Sequence, residues 1–222
     1  MEDNITKLIM DIGNSHIKLL VGEVSTDFTR IKILQYIETP TKGMKKSVVE
    51  SSDQLSYSIQ SALRGLENPE YRELEKVTIG VGGKYIQSKT RKLFLEFEER
   101  EVQQNDLEKL YELAEECLEA GELVLKREMY NIKINNAGIV KNPIGLVANR
   151  LEANVHLIYV DRGDIEKLTD AIVEAGLEIE NIYLNAYASL KSTLIDEEST
   201  KMGVALVDIG EGATDIIISK KS

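Results

Sequence analysis

The sequence predicts an α/β protein, because apolar strands and amphipathic helices alternate along most of the chain. Hydrophobic residues make up 42% of the 222 positions, which is enough for a buried core. Near both ends an apolar strand runs into Asp-Ile-Gly, followed by a polar turn and a second apolar strand. That order is typical of a β-hairpin. A folded protein of one or two domains is therefore expected.

The N-terminal part is predicted to form strands and one helix. Apolar, β-branched stretches indicate strands at residues 8–10, 17–21, 31–37 and 77–81. A helix is expected to begin at Ser52 or Asp53, either of which can cap it, and to run to about Leu66. It should end near Pro69, and the strand after it should end at the pair Gly82-Gly83.

The rest of the chain continues the alternation. Helices are expected where apolar residues recur at three-to-four spacing, at residues 105–118, 164–175 and 186–194. Asn105 and Asp164 are the expected caps of the first two. Further strands are expected at residues 130–134, 155–160, 179–184, 204–207 and 216–219. Residues 84–101 are mixed and charged, and no element is assigned to them.

The charge and cysteine content exclude several classes of protein. Lys and Arg number 27 and Asp and Glu 38, for a net charge of −11, which argues against a general nucleic-acid binder and against docking on anionic lipid. The single cysteine, Cys117, cannot form an internal disulfide, and it lies on an apolar helix stripe. A reducing cytoplasm is the natural compartment. No His/Cys cluster indicates a zinc site.

The repeated Asp-Ile-Gly motif is the feature with most chemical content. A glycine in a tight turn lets backbone N–H groups approach a phosphate closely. Asp11 and Asp208, at the ends of the two strands, can hold Mg²⁺ through water. Two such hairpins facing each other would clamp the terminal phosphates of a nucleotide. The alternative is an ordinary strand end and turn, which fits the first motif better than the glycine-rich segment Asp208–Asp215.

These hairpins resemble the two phosphate loops of the actin-like ATPase superfamily, which includes sugar kinases and Hsp70. Residues 82–86, 138–146 and 150–158 resemble the FtsA family of bacterial cell-division proteins. The resemblance implies an actin-like (ribonuclease H-like) first lobe, made of residues 1–76 and 162–202. It also implies an inserted small α+β interaction subdomain at 77–161, and the first hairpin of a second lobe at 203–222.

The resemblance implies site residues by position. Phosphate binding falls on the two loops: Gly13, Asn14, Ser15, Gly210, Glu211, Gly212, Ala213 and Thr214. Asp11 and Asp208 would be the Mg²⁺ residues, and Asp208 and Asn185 the catalytic ones, with the Asn185 amide orienting water. Glu211 and Ala213 depart from the glycine and threonine that are frequent in this family. Lys84 and Arg150 are expected interaction residues, although an ordinary surface role is a comparable reading.

The implied function is that of an ATP-binding filament subunit and adaptor. Such a protein links the FtsZ ring to the membrane, recruits later division proteins and works at the inner face of the membrane at the division site. ATP and Mg²⁺ are its expected cofactors, and any ATPase activity should be weak. Because most of a second lobe is missing, this chain should bind ATP poorly and tend to self-associate. The alternatives are an adaptor like PilM of pilus assembly, or an active actin-like or Hsp70-like ATPase.

Overall fold

The computed structural model describes residues 4–27, 29–135, 137–193 and 203–219. They divide into two compact units. The first comprises the chain up to Tyr85 together with Gly163–Ser219, and the second comprises Ile86–Arg162.

The first unit is built on a mixed five-stranded sheet with helices. Its strands are β1 (Ile5–Ile12), β2 (His16–Val24), β3 (Ile31–Pro40), β4 (Met44–Lys45), β5 (Val48–Val49), β6 (Lys76–Val81), β10 (Glu178–Leu184), β11 (Val204–Ile209) and β12 (Thr214–Ser219). Its helices are α1 (Ser52–Arg64), α2 (Pro69–Arg72), α4 (Arg162–Glu174) and α5 (Asn185–Thr193). The sheet order is β10-β6-β1-β2-β3. Strands β1, β2 and β3 pair antiparallel, whereas β1, β6 and β10 run parallel.

One face of this sheet carries the core. Alternate residues of β1, β2 and β6 are buried, as a half-covered strand requires: Leu8, Met10, Ile17, Leu19, Val21, Val77, Ile79 and Val81. Helix α1 packs against β2 and β3. It begins at Ser52, as the sequence predicted, but its cap is Ser51 rather than Ser52 or Asp53, since the Ser51 hydroxyl accepts from the Gln54 N–H.

The second unit is a three-stranded antiparallel sheet with one helix. Its elements are β7 (Gln87–Glu101), α3 (Gln104–Glu115), β8 (Glu122–Ile134) and β9 (Val147–Asp161), in the sheet order β7-β9-β8. Helix α3 contacts β7 and β9. The core includes Leu110 and Ala114 of the helix with Leu151, Val155 and Leu157 of the central strand.

The structure corrects several expectations about these elements. Residues 77–81, expected in the inserted subdomain, form β6 of the first unit, because this strand pairs with both β1 and β10. Residues 84–101, left unassigned, contain β7, whose Leu93, Leu95 and Phe97 alternate toward the second unit's core. Two expected helix caps are also wrong: α3 is capped at Gln103 rather than Asn105, and Asp164 lies within the first turn of α4, which begins at Arg162.

The cap of α3 contains a buried carboxylate. Asp106 is 2% exposed, and it accepts hydrogen bonds from Nη1 and Nη2 of Arg100 at 2.8 Å and from the Gln103 N–H at 2.9 Å. These bonds, chiefly those from Arg100, lower the pKa of Asp106 to about 2. A carboxyl with a lowered folded-state pKa stabilises the fold above its unfolded pKa. This contribution should be lost as the pH falls through about 2.

We therefore expect Asp106→Asn to lower the free energy of unfolding of the second unit by about 1–2 kcal/mol at pH 7. Hydrogen exchange of the α3 amides, measured as a function of urea concentration, gives this change in the free energy of unfolding. Glu108→Gln is the matched control, since Glu108 pairs with Arg127 at the surface and should cost about 0.5 kcal/mol or less. Equal losses in the two variants would contradict the prediction.

Candidate phosphate-binding site

Two tight hairpin turns face the same part of the first unit. Loop 1 joins β1 to β2, and its Gly13 N–H donates to the His16 carbonyl at 3.1 Å. Loop 2 joins β11 to β12, and its Gly210 N–H donates to the Ala213 carbonyl at 2.9 Å. The same closing bond therefore forms in both copies of the repeated motif. The predicted hairpins at the two ends of the sequence are present.

Both turns line one open cavity of about 860 Å³ in the first unit. The ends of β6 and β10 and the beginning of α5 also line it. Most of the site residues predicted from the sequence are among the lining residues: Asp11, Gly13, Asn14, Ser15, Asn185, Asp208, Gly210, Glu211, Gly212 and Ala213. Thr214 is not among them. The cavity therefore brings together residues that lie almost 200 positions apart in the chain.

Loops 1 and 2 touch at Asn14 and Gly212. A Cβ atom on Gly212 would lie 2.5 Å from Asn14 Cγ and Nδ2, so the close approach requires glycine. Asn14 Oδ1 in turn accepts from the Ser47 N–H at 2.8 Å. Ser47 lies in the turn between β4 and β5, where both Lys46 and Ser47 have positive φ, at 49° and 58°. Asn14 thus holds this turn and loop 2 at the edge of the cavity.

A further contact joins the start of β12, directly after loop 2, to the glycine pair that follows β6. The Gly83 N–H donates to Asp215 Oδ1 at 3.0 Å, and Gly83 has a φ of +61°. Gly82 is equally close, since a Cβ there would lie 3.0 Å from Asp215 Oδ2. Next to them, burial raises the pKa of Tyr85, whose hydroxyl accepts from the Val49 N–H. This glycine pair is therefore where the start of β12, directly after loop 2, meets the end of β6.

The cavity is rich in carboxylates. Asp11 is paired with Lys18 Nζ at 3.8 Å and accepts from Asn185 Nδ2 at 3.1 Å. Asp208 and Asp215 are direct cross-strand partners in the β11–β12 hairpin. Like charges directly opposite each other repel. A polyphosphate could enter such a site only with a cation that offsets this charge.

Sequence reasoning did not single out several residues of this arrangement. Lys18, Ser47, Gly80 and Asp215 all line the cavity. The local sequence could have identified Asp215, which ends the glycine-rich motif, and the Gly82-Gly83 pair, which directly follows a strand. No local pattern identifies Ser47 or Gly80, because their roles depend on contacts with distant residues.

The two predicted interaction residues are not among those that line the cavity. Lys84 is exposed in the short turn after Gly83. Arg150 belongs to β9 of the second unit, where it pairs with Glu96 and its guanidinium lies 4.1 Å from the Phe94 ring centroid. Their role in partner binding stays a prediction.

The described ranges contain no cluster of three or more His, Cys, Asp or Glu side chains placed to hold a metal ion directly. Asp11 and Asp208 would have to act through water, the mode by which Mg²⁺ is commonly held beside phosphates. Across the same ranges no helix has the length and apolarity needed to span a bilayer.

Comparison with known proteins identifies the relatives of this chain. Residues 83–159 match a domain family described as the SHS2 domain inserted in FtsA. The cell division protein FtsA of Pseudomonas aeruginosa is 31% identical over 210 residues, which is 94% of this chain and 50% of that protein. FtsA of Escherichia coli K12 is 29% identical over the same shares, and that of Bacillus subtilis is 28% identical over 221 residues. The chain spans about half the length of the curated relatives it matches.

A solved structure shows the same fold. The PilM-PilN type IV pilus biogenesis complex superposes with a TM-score of 0.61 at 13% identity, covering 96% of this chain and 58% of that one. At that identity the likeness concerns the fold alone. The matches to FtsA confirm the resemblance found in the sequence, and the solved structure confirms the predicted α/β fold.

Proposed function

We propose that this FtsA-like chain belongs to a cell-division protein that binds ATP with Mg²⁺ between its two hairpin turns. The observation that supports this most directly is the contact between Gly212 of loop 2 and Asn14 of loop 1 at the edge of one cavity. It places two glycine-containing turns together. Backbone N–H groups of such turns are suited to phosphate oxygens.

The chemistry of the cavity indicates how Mg²⁺ would be used. Asp11 and Asp208 would hold the water shell of the ion, and Lys18 supplies a cation beside Asp11. Bound Mg²⁺ neutralises part of the phosphate charge, so the polyphosphate of ATP can bind beside the carboxylates of Asp208 and Asp215. Glu211 is also exposed at the tip of loop 2 and adds to the negative charge there. The metal should therefore be required for affinity, and any hydrolysis should be slow.

We further propose the adaptor role of the relatives for the whole protein. In this role it forms filaments, links the FtsZ ring to the membrane at the division site and recruits later division proteins. The inserted second unit, with Arg150 on its sheet and Lys84 before it, is the proposed interaction module. The relatives named as cell division proteins support this function. The likeness to the PilM-PilN complex supports the alternative of a pilus adaptor less, because identity there is 13%.

Calorimetric titration with ATP tests the nucleotide site. A chain extended to the length of its relatives should bind ATP tightly with Mg²⁺ and at least about tenfold more weakly in EDTA. The 222-residue chain should bind weakly under both conditions. Asp208→Ala should weaken Mg²⁺-dependent binding in the extended protein, whereas Asp170→Ala, on the exposed side of α4, should not. Equal affinity with and without Mg²⁺ would contradict the proposed site.

The adaptor role has its own experiment. The extended protein should co-sediment with FtsZ filaments, and it should not bind a PilN peptide. The opposite pattern would favour the pilus adaptor.

A further inference from the structure

Asn185 reaches across one strand of the sheet to touch another. It directly follows β10, whose last residue, Leu184, pairs with Val81 of β6. On its other side β6 pairs with β1, where Asp11 lies opposite Gly80. The Asn185 side chain spans this width, and its Nδ2 donates to Asp11 Oδ1 at 3.1 Å. A single hydrogen bond thus connects the first residue of α5, directly after β10, to β1 on the far side of β6.

Gly80 makes this reach possible. A Cβ atom there would overlap Asn185 Oδ1 and would lie 2.8 Å from its Cγ. Gly80 has no positive φ, so the backbone conformation does not require glycine. A glycine inside a strand weakens it unless another group must approach closely. Here the group that approaches is the amide of Asn185.

We propose that Asn185 is a positioning residue that holds the Asp11 carboxylate, rather than a residue that orients the attacking water. Its amide fixes Oδ1, while Lys18 lies 3.8 Å from Oδ2, so both oxygens have a partner. The role of this orientation, which is to present Asp11 to the hydrated Mg²⁺, rests on the proposed function. The hydrogen bond between Asn185 and Asp11 does not depend on that function.

The chemistry of an amide suits this task. A carboxylate at position 185 would place a like charge beside Asp11, and the two groups could not both ionise without cost. The neutral amide donates a hydrogen bond and leaves Asp11 charged. Its oxygen faces the bare backbone of Gly80, so the donor side of the amide points toward Asp11.

A double-mutant cycle tests the contact in the nucleotide-free protein. In the extended chain, Gly80→Ala should raise the unfolding equilibrium constant about tenfold, because the new methyl group collides with Asn185. In an Asn185→Ala background the same change should have about a twofold effect or less, because the space is then empty. Urea unfolding, monitored by circular dichroism, measures the effect of Gly80→Ala in each background. Additive effects would overturn the proposal.

The magnesium requirement tests the orientation. Asn185→Ala and Gly80→Ala should each raise the Mg²⁺ concentration for half-maximal ATP binding by roughly tenfold, because Asp11 is then no longer held. Gly22→Ala, on β2 with only ordinary contacts at 3.4 Å, is the control and should leave it unchanged. Non-additive unfolding with an unchanged Mg²⁺ requirement would overturn the positioning role. If the wild-type protein binds no ATP, the proposed function fails, and the unfolding cycle still decides whether Asn185 is held across Gly80.

Discussion

Gly212→Val should separate the two loops of the candidate site and lower ATP affinity in the extended protein by about tenfold or more. The valine side chain has no room, since even a Cβ atom would lie 2.5 Å from Asn14 Cγ and Nδ2. Asn14 cannot move without losing its hydrogen bond from Ser47. Either loop 2 or the β4–β5 turn must therefore shift.

Hydrogen exchange at the Ser47 amide gives a direct measurement, because this N–H is held by Asn14 and should exchange faster in the variant. Gly138→Val is the control, since a Cβ at that glycine would meet nothing within 4 Å. Unchanged Ser47 protection and unchanged affinity in Gly212→Val would show that the loops do not depend on this contact.

Ile79→Ala should destabilise the first unit strongly, by about 2–4 kcal/mol in the free energy of unfolding. Ile79 is fully buried in β6, which lies between β1 and β10. Truncation leaves a cavity in the core that covers this face of the sheet, among buried neighbours such as Met10 and Val81. Urea unfolding at neutral pH measures the change.

Ile33→Ala is the matched control for this truncation. Ile33 lies on the edge strand β3 and is 63% exposed, so its loss should change stability by about 0.5 kcal/mol or less. Similar losses at both positions would contradict the assignment of β6 to the interior of the first unit's sheet.

The elements that were predictable from sequence are those with local signals. The hairpins at both ends carry apolar strands on either side of a glycine-containing turn, and α1 carries a cap and an apolar stripe. The pattern within residues 84–101 was also local, as Leu93, Leu95 and Phe97 alternate. Phe94 lies between Leu93 and Leu95 and is half exposed, so the alternation was not evident until the pairing of β7 with β9 was known.

The position of β6 could not be predicted in the same way. Its apolar residues fit either unit, and what assigns it to the first is its pairing with β1, about 70 residues earlier, and with β10, about 100 residues later. The site shows the same limit. Glycine and aspartate in the two motifs were recognisable, whereas the bond between Gly83 and Asp215 joins residues 132 positions apart. Contacts of this kind are set by the packing of distant segments.

The two ends of the second unit have an evolutionary consequence. Gln87, at the start of β7, and Tyr159, near the end of β9, are direct antiparallel partners. The unit therefore begins and ends at neighbouring points. A domain with neighbouring ends can be inserted into a loop of another domain at little cost in loop-closure entropy, because the two ends of that loop stay close together. A single insertion or deletion in the gene is therefore enough to add or remove the whole second unit.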